Sequence, residues 1–66
     1  MWRRATEEAR EVVRLAPAYA RGHDLLARVL ATRGDLAGAR SEFETAIRLD
    51  PANVDARQAL ASIEAR

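Results

Sequence analysis

The chain has 66 residues and no cysteine, so it forms one small domain at most, and no disulfide or thiolate metal site holds it together. Eleven arginines and ten acidic residues are interspersed along it and give a net charge of +1. This balance suits a helical surface in water and gives no signature of a nucleic-acid or membrane partner. Because there is also only one histidine, we expect no cofactor, no metal site and no enzymatic activity.

The sequence shows no membrane-spanning or secretory segment. No apolar run approaches the ~20 residues that a membrane-spanning helix needs. The start of the chain, Met1-Trp2-Arg3-Arg4, lacks the apolar region of a signal peptide. A cytoplasmic location is therefore expected.

Two amphipathic helices are predicted in the first half of the chain. The first covers residues 2–16, where apolar residues recur at spacings of three and four and share one face. Pro17 ends it, because proline cannot continue a helix. The second covers residues 19–33, with Leu26 and Leu30 on its apolar face.

A short link joins the second helix to a third, predicted over residues 36–49. Gly34 can adopt the left-handed conformation that ends a helix, and Asp35 can accept a hydrogen bond from the first turn of the next one. So short a link makes the two helices antiparallel neighbours. Gly38 either weakens the third helix or permits a close helix contact. A fourth helix is predicted over residues 53–65.

The predicted core is apolar and lies mainly between the second and third helices. Its central residues are Leu26, Leu30, Ala39, Phe43, Ala46 and Ile47. Leu25 and Leu49 are expected beside this core, and Trp2 and Tyr19 in or near it. The main apolar contacts of the fourth helix are expected to be Leu60, Ala61 and Ile63.

A repeat underlies this order of helices. The segment Arg14-Leu15-Ala16-Pro17-Ala18 recurs 34 residues later as Arg48-Leu49-Asp50-Pro51-Ala52. At the same shift Leu26 corresponds to Leu60, and Ala27 to Ala61. A period of 34 with two helices in each unit is typical of a helical solenoid.

Within residues 20–53 the sequence resembles the tetratricopeptide repeat family. The residues that carry the resemblance are Leu26, Ala27, Gly34, Ala39, Phe43, Ala46 and the closing segment Leu49-Asp50-Pro51-Ala52-Asn53. His23 stands where the family usually has tryptophan, and Leu30 where it has tyrosine. The resemblance implies an all-α fold, a short right-handed solenoid of four antiparallel helices. It also implies a half repeat over residues 1–18, and a half repeat or capping helix over residues 54–66.

The resemblance also implies a function and a site. In this family the first helix of each unit lines a concave groove in which peptides bind. The residues of this chain expected to face the groove are Arg21, Asp24, Arg28, Asp55, Gln58 and Ser62. We therefore expect a protein-interaction module or scaffold with a protein or peptide partner, derived from a longer repeat protein. The alternative is that these residues are only the solvated side of a structural repeat.

A second interpretation makes the chain a self-assembling structural unit whose main partner is itself. The first helix resembles the second half of a repeat, so part of its apolar face is expected to be uncovered. The residues expected to mediate self-association are Trp2, Ala5, Ala9, Val12, Val13 and Leu60. Head-to-tail stacking and a symmetric dimer are both compatible with this interpretation, although Arg57 and Glu64 suit a solvent-facing cap.

Isolated ionisable residues are interpreted as structural. His23 has the helical spacing of an inter-helix contact, and catalysis would need an oriented partner and a pocket. The glutamates of the third helix, Glu42 and Glu44, are expected on a solvent face in ordinary surface pairs.

Overall fold

Four helices make up the regular structure of the chain. The computed structural model describes the backbone of residues 2–65 and the side chains of residues 3–65. The helices are α1 (Trp2–Leu15), α2 (Ala20–Thr32), α3 (Leu36–Leu49) and α4 (Val54–Glu64). All four predicted helices are confirmed, and their predicted ends differ from the observed ones by no more than one residue.

The turns form by the local mechanisms that the sequence predicts. Gly34 has a φ of +94°, and the N–H of Asp35 donates to the Leu30 carbonyl at 2.8 Å, which closes the end of α2. The Asp35 carboxylate then accepts from the Gly38 N–H at 2.9 Å. Asn53 caps α4 in the same way, by accepting from the Ala56 N–H at 3.0 Å.

Two glycines allow close approaches, of which only one joins two helices. A Cβ on Gly38 would lie 2.6 Å from Oδ2 of Asp35, so the absent side chain makes room for the helix cap. The three atoms nearest to that Cβ all belong to Asp35, so the suggested helix contact at Gly38 stays a prediction. The close helix contact lies at Gly22, where a Cβ would lie 3.0 Å from Cγ1 of Val12 in α1.

The core forms between helices that are consecutive in the chain. Each helix packs against its neighbours in sequence, and the contact between α2 and α3 is the most extensive. The buried apolar residues are Ala9, Leu26, Ala27, Leu30, Ala39, Phe43, Ala46 and Ala56. The predicted centre of the core is thus confirmed except for Ile47, which is partly buried against it.

The apolar surface differs from the prediction at several positions. Tyr19, the residue before α2, is 52 % exposed, and Leu25 is 48 % exposed because it is rotated by about 100° from the buried Leu26 on the same helix. Leu49, the last residue of α3, is also exposed. Ala61 is exposed although its counterpart Ala27 is fully buried. The reason is that α3 covers Ala27, whereas no described helix covers the outer side of α4.

Candidate peptide-binding groove

A groove runs between α2 and α4 on one side of the molecule. It encloses about 560 Å³ and is lined by Arg21, Asp24, Arg28, Asp55, Gln58 and Ala59. Five of the six residues that the sequence predicts for the groove therefore lie together. Ser62 is exposed one turn further along α4 and is not part of this lining.

Local helix geometry and the position of α3 together form the groove. Residues three or four apart lie on one helix face, which aligns Arg21, Asp24 and Arg28 on α2 and Asp55 with Gln58 on α4. Because α3 packs against both α2 and α4, it holds these two faces side by side.

Arg28 is fixed by contacts within the protein. Its Nε donates to Oδ1 of Asp24 at 3.2 Å, and its guanidinium lies 5.6 Å from the centroid of the Phe43 ring. An arginine over an aromatic face gains a cation–π interaction of about 0.5–1 kcal/mol at an exposed site. Arg28 thus shields the edge of the core as well as lining the groove.

Arg21 and Asp55 are the groove charges that stay available. Neither forms an ion pair with another described residue. Both also line an adjoining recess of about 390 Å³ to which Asp24 and Asp50 contribute. Arg21 is the only basic residue among the described lining of that recess, and it forms no ion pair within 4 Å with the carboxylates there.

His23 joins three parts of the fold. It is 7 % exposed, its Nδ1 lies 2.7 Å from Oε1 of Glu42 in α3, and its Nε2 lies 2.7 Å from the Pro17 carbonyl oxygen. Both ring nitrogens are thus engaged, and the structural interpretation of His23 is supported. The expectation that Glu42 faces solvent in an ordinary surface pair is wrong, because its side chain is only 25 % exposed and holds His23.

The residues predicted for self-association are only partly at the surface. Ala5, Val12, Val13 and Leu60 are partly buried. Ala9 is 2 % exposed, so the expectation that it is uncovered is wrong, since α2 packs over it. The side chain of Trp2 lies outside the described residues.

The large apolar side chains that are exposed lie elsewhere. Leu15 is 68 % exposed at the end of α1, Tyr19 is exposed just before α2, and Leu25 is exposed on α2. Leu49 at the end of α3 and Val54 at the start of α4 are exposed as well. The sequence signals the exposure of Leu25, because Leu25 is rotated by about 100° from Leu26 and so lies off the buried face of its helix. We call Leu15, Tyr19 and Leu25 the α1–α2 edge.

Residues 2–65 contain neither a helix that could span a membrane nor a metal-ligand cluster. In that range no helix combines the length and apolar character that crossing a bilayer requires. No cluster of three or more metal-ligating side chains occurs among the described residues.

Comparison with protein families agrees with this geometry. The family model described as tetratricopeptide repeat matches residues 20–63 of the 66-residue chain. The match covers α2, α3 and nearly all of α4. The chain belongs to the tetratricopeptide repeat family, and its four helices are a short helical solenoid. Neither the curated proteins nor the solved structures gave a match.

Proposed function

We propose that this chain is a non-enzymatic interaction module that binds a peptide in the groove between α2 and α4. Tetratricopeptide repeats generally mediate protein–protein interactions, and the family match covers both helices that line the groove. The observation that carries the proposal is the groove itself. It gathers polar side chains from two helices that are not neighbours in sequence, and neither Arg21 nor Asp55 pairs with another described residue.

The arrangement favours a partner that carries both signs of charge. Arg21 can bind a carboxylate through two parallel hydrogen bonds. The adjoining carboxylates of Asp50 and Asp55 suit a basic side chain next to it. Arg28 lines the groove, but its charge is partly neutralised because Asp24 already accepts a hydrogen bond from it.

The test starts from a display library of random peptides selected against the whole chain. Peptides that bind are then measured by calorimetry against Arg21→Glu and against Arg48→Glu. Arg48 is an exposed arginine of α3 outside the groove, and it forms no ion pair with another described residue. Arg28→Glu is a poorer test, because it would also disturb the contact over Phe43.

We expect Arg21→Glu to weaken binding at least about fivefold, because it replaces an attractive charge with a repulsive one. Arg48→Glu should bind like the parent chain. Circular dichroism should show the same helix content for both variants. Selected peptides that lose affinity with Arg48→Glu and not with Arg21→Glu would refute the groove, as would a library that yields no binder.

Self-association is a second candidate function, favoured by the exposed α1–α2 edge. Leu15, Tyr19 and Leu25 are large apolar side chains left in solvent. The outer side of α4 is different, because Arg57 is exposed there and Glu64 pairs with Arg40 at 3.5 Å. A head-to-tail contact would have to bury these charges, which is costly, so a symmetric contact through the α1–α2 edge fits better.

Sedimentation equilibrium tests this candidate separately. The apparent mass should rise between about 10 µM and about 1 mM, because mass action favours burial of the edge at high concentration. Leu25→Arg should keep the mass at that of a monomer. A constant monomer mass for the parent chain would refute self-association and leave the groove proposal unaffected.

A further inference from the structure

A second recess lies on α1, away from the groove. It encloses about 650 Å³ and is lined by Arg3, Thr6, Glu7 and Arg10 of α1 and by Arg33, which follows α2. It shares no lining residue with the groove between α2 and α4. The arginines approach it from two separate elements, since the N-terminal half of α1 lies beside the end of α2.

The recess gathers three arginines that have no described carboxylate partner. Four other arginines pair with a carboxylate three or four residues away: Arg4, Arg14, Arg28 and Arg40. Arg21, Arg48 and Arg57 form no ion pair with a described residue, but they lie apart from this recess. Arg3, Arg10 and Arg33 form no ion pair with any described residue.

Glu7 does not neutralise the recess. It lies four residues after Arg3 and three before Arg10, yet it pairs with neither. Among the described lining residues, three guanidinium groups and one carboxylate give a net charge of +2. A recess with unpaired arginines on two sides is suited to a ligand that brings its own carboxylates.

The spacing along α1 indicates the form of that ligand. Arg3 and Arg10 are seven residues apart, which is about 10 Å along a helix. In a polyproline-II segment, side chains three residues apart lie on one face and about 9 Å apart. Two acidic residues at that spacing would therefore reach both arginines, and Arg33 would contact the segment from the other side.

The position of Glu7 argues against a continuous polyanion. Glu7 lies between Arg3 and Arg10 on the same side of α1, and its carboxylate repels any negative charge placed between the two arginines. A nucleic-acid backbone or a run of consecutive acidic residues would place charge there. We infer that the recess is a second docking surface for an extended peptide of a protein partner whose acidic residues recur at every third position.

The test is an NMR titration of the isotopically labelled chain at low salt with an acetylated, amidated peptide of three Pro-Pro-Glu units. Amide shifts should concentrate at Arg3, Arg10 and Arg33 and spare Arg21 in the groove. Arg10→Gln should weaken binding about two- to fivefold, the effect expected for one exposed charge pair. The matched control is Arg57→Gln, which should change nothing, because Arg57 is exposed on α4 and forms no ion pair with another described residue.

Further peptides test whether binding needs the negative charges of the ligand and their spacing. A peptide with glutamine in place of glutamate should not bind, and an equal affinity would overturn the proposal. A nonaglutamate peptide or an oligothymidylate should bind more weakly, and tighter binding of either at these arginines would overturn the extended acidic peptide as the partner. Amide shifts confined to the groove between α2 and α4 would also overturn the proposal. Because Arg10 forms no ion pair with another described residue, Arg10→Gln should keep the parental melting temperature. If that variant does not fold, Arg33→Gln replaces it.

Discussion

His23 offers the sharpest test of how α2 is held to the preceding turn and to α3. Its ring connects α2 to the α1–α2 turn through the Pro17 carbonyl and to α3 through Glu42, each at 2.7 Å. His23→Leu keeps a similar apolar volume and removes both hydrogen bonds. The expected result is a loss of stability without a change of fold.

The magnitude follows from the two bonds and from their exposure. A neutral hydrogen bond contributes about 0.5–1.5 kcal/mol and one to a charged group about 1.5–3 kcal/mol. The Glu42 side chain is 25 % exposed, so water replaces part of its lost bond. We therefore expect His23→Leu to lower the free energy of unfolding by about 2 kcal/mol, and the melting temperature of so small a domain by about 10–15 °C.

Thermal and denaturant unfolding followed by far-ultraviolet circular dichroism measure this loss. Arg57→Leu is the matched control, because Arg57 occupies the same position one period of 34 residues later and is exposed. It should change stability by less than about 0.5 kcal/mol. Glu42→Leu completes a double-mutant cycle in which a coupling of about 1 kcal/mol is expected. Additive effects, or a loss below about 0.5 kcal/mol for His23→Leu, would show that His23 only fills space.

Three further predictions concern the core, a cap and an exposed ion pair. Phe43→Ala should cost about 3–5 kcal/mol in denaturant unfolding, since the ring is 2 % exposed; a loss below about 1 kcal/mol would contradict its place in the core. In a chain that already carries Asp35→Ala, Gly38→Ala should raise the free energy of unfolding by about 1 kcal/mol. In the parent chain it should raise it by less, because the new Cβ would displace the capping carboxylate of Asp35; equal increases in the two chains would refute this. The hydrogen bond from Arg14 lowers the pKa of Glu11 below its ordinary 4.5. The pair therefore stabilises the folded chain slightly; this stabilisation is complete above pH 4.5 and is lost as the pH falls through the lowered pKa. The melting temperatures of the parent and Glu11→Gln should therefore converge in strong acid, and a difference that persists there would be inconsistent with this pair.

The proposed groove and the proposed α1 recess differ in how far the sequence reveals them. The groove residues follow from helical spacing and from the resemblance to a known repeat, so five of the six predicted residues lie together. The recess depends on Arg33, which lies outside α1 and reaches it only through the packing of α2 on α1. No spacing rule relates Arg33 to Arg3, since 30 residues separate them.

The sequence by itself determined the helices and their ends. Pro17, Gly34 and Asp35 act within a few residues of their own positions, and such local interactions are readable from the chain. The buried face of α2 and α3 was equally readable, because helical periodicity places its residues on one stripe.

The tertiary structure decided what each face meets. Ala27 and Ala61 occupy the same repeat position, yet only Ala27 is covered, because α3 packs on α2 and no described helix packs on the outer side of α4. The bond between His23 and Glu42 spans 19 residues and depends on how α2 and α3 are rotated against each other. Contacts of this kind arise from the relative placement of helices, which the pattern of any single helix does not contain.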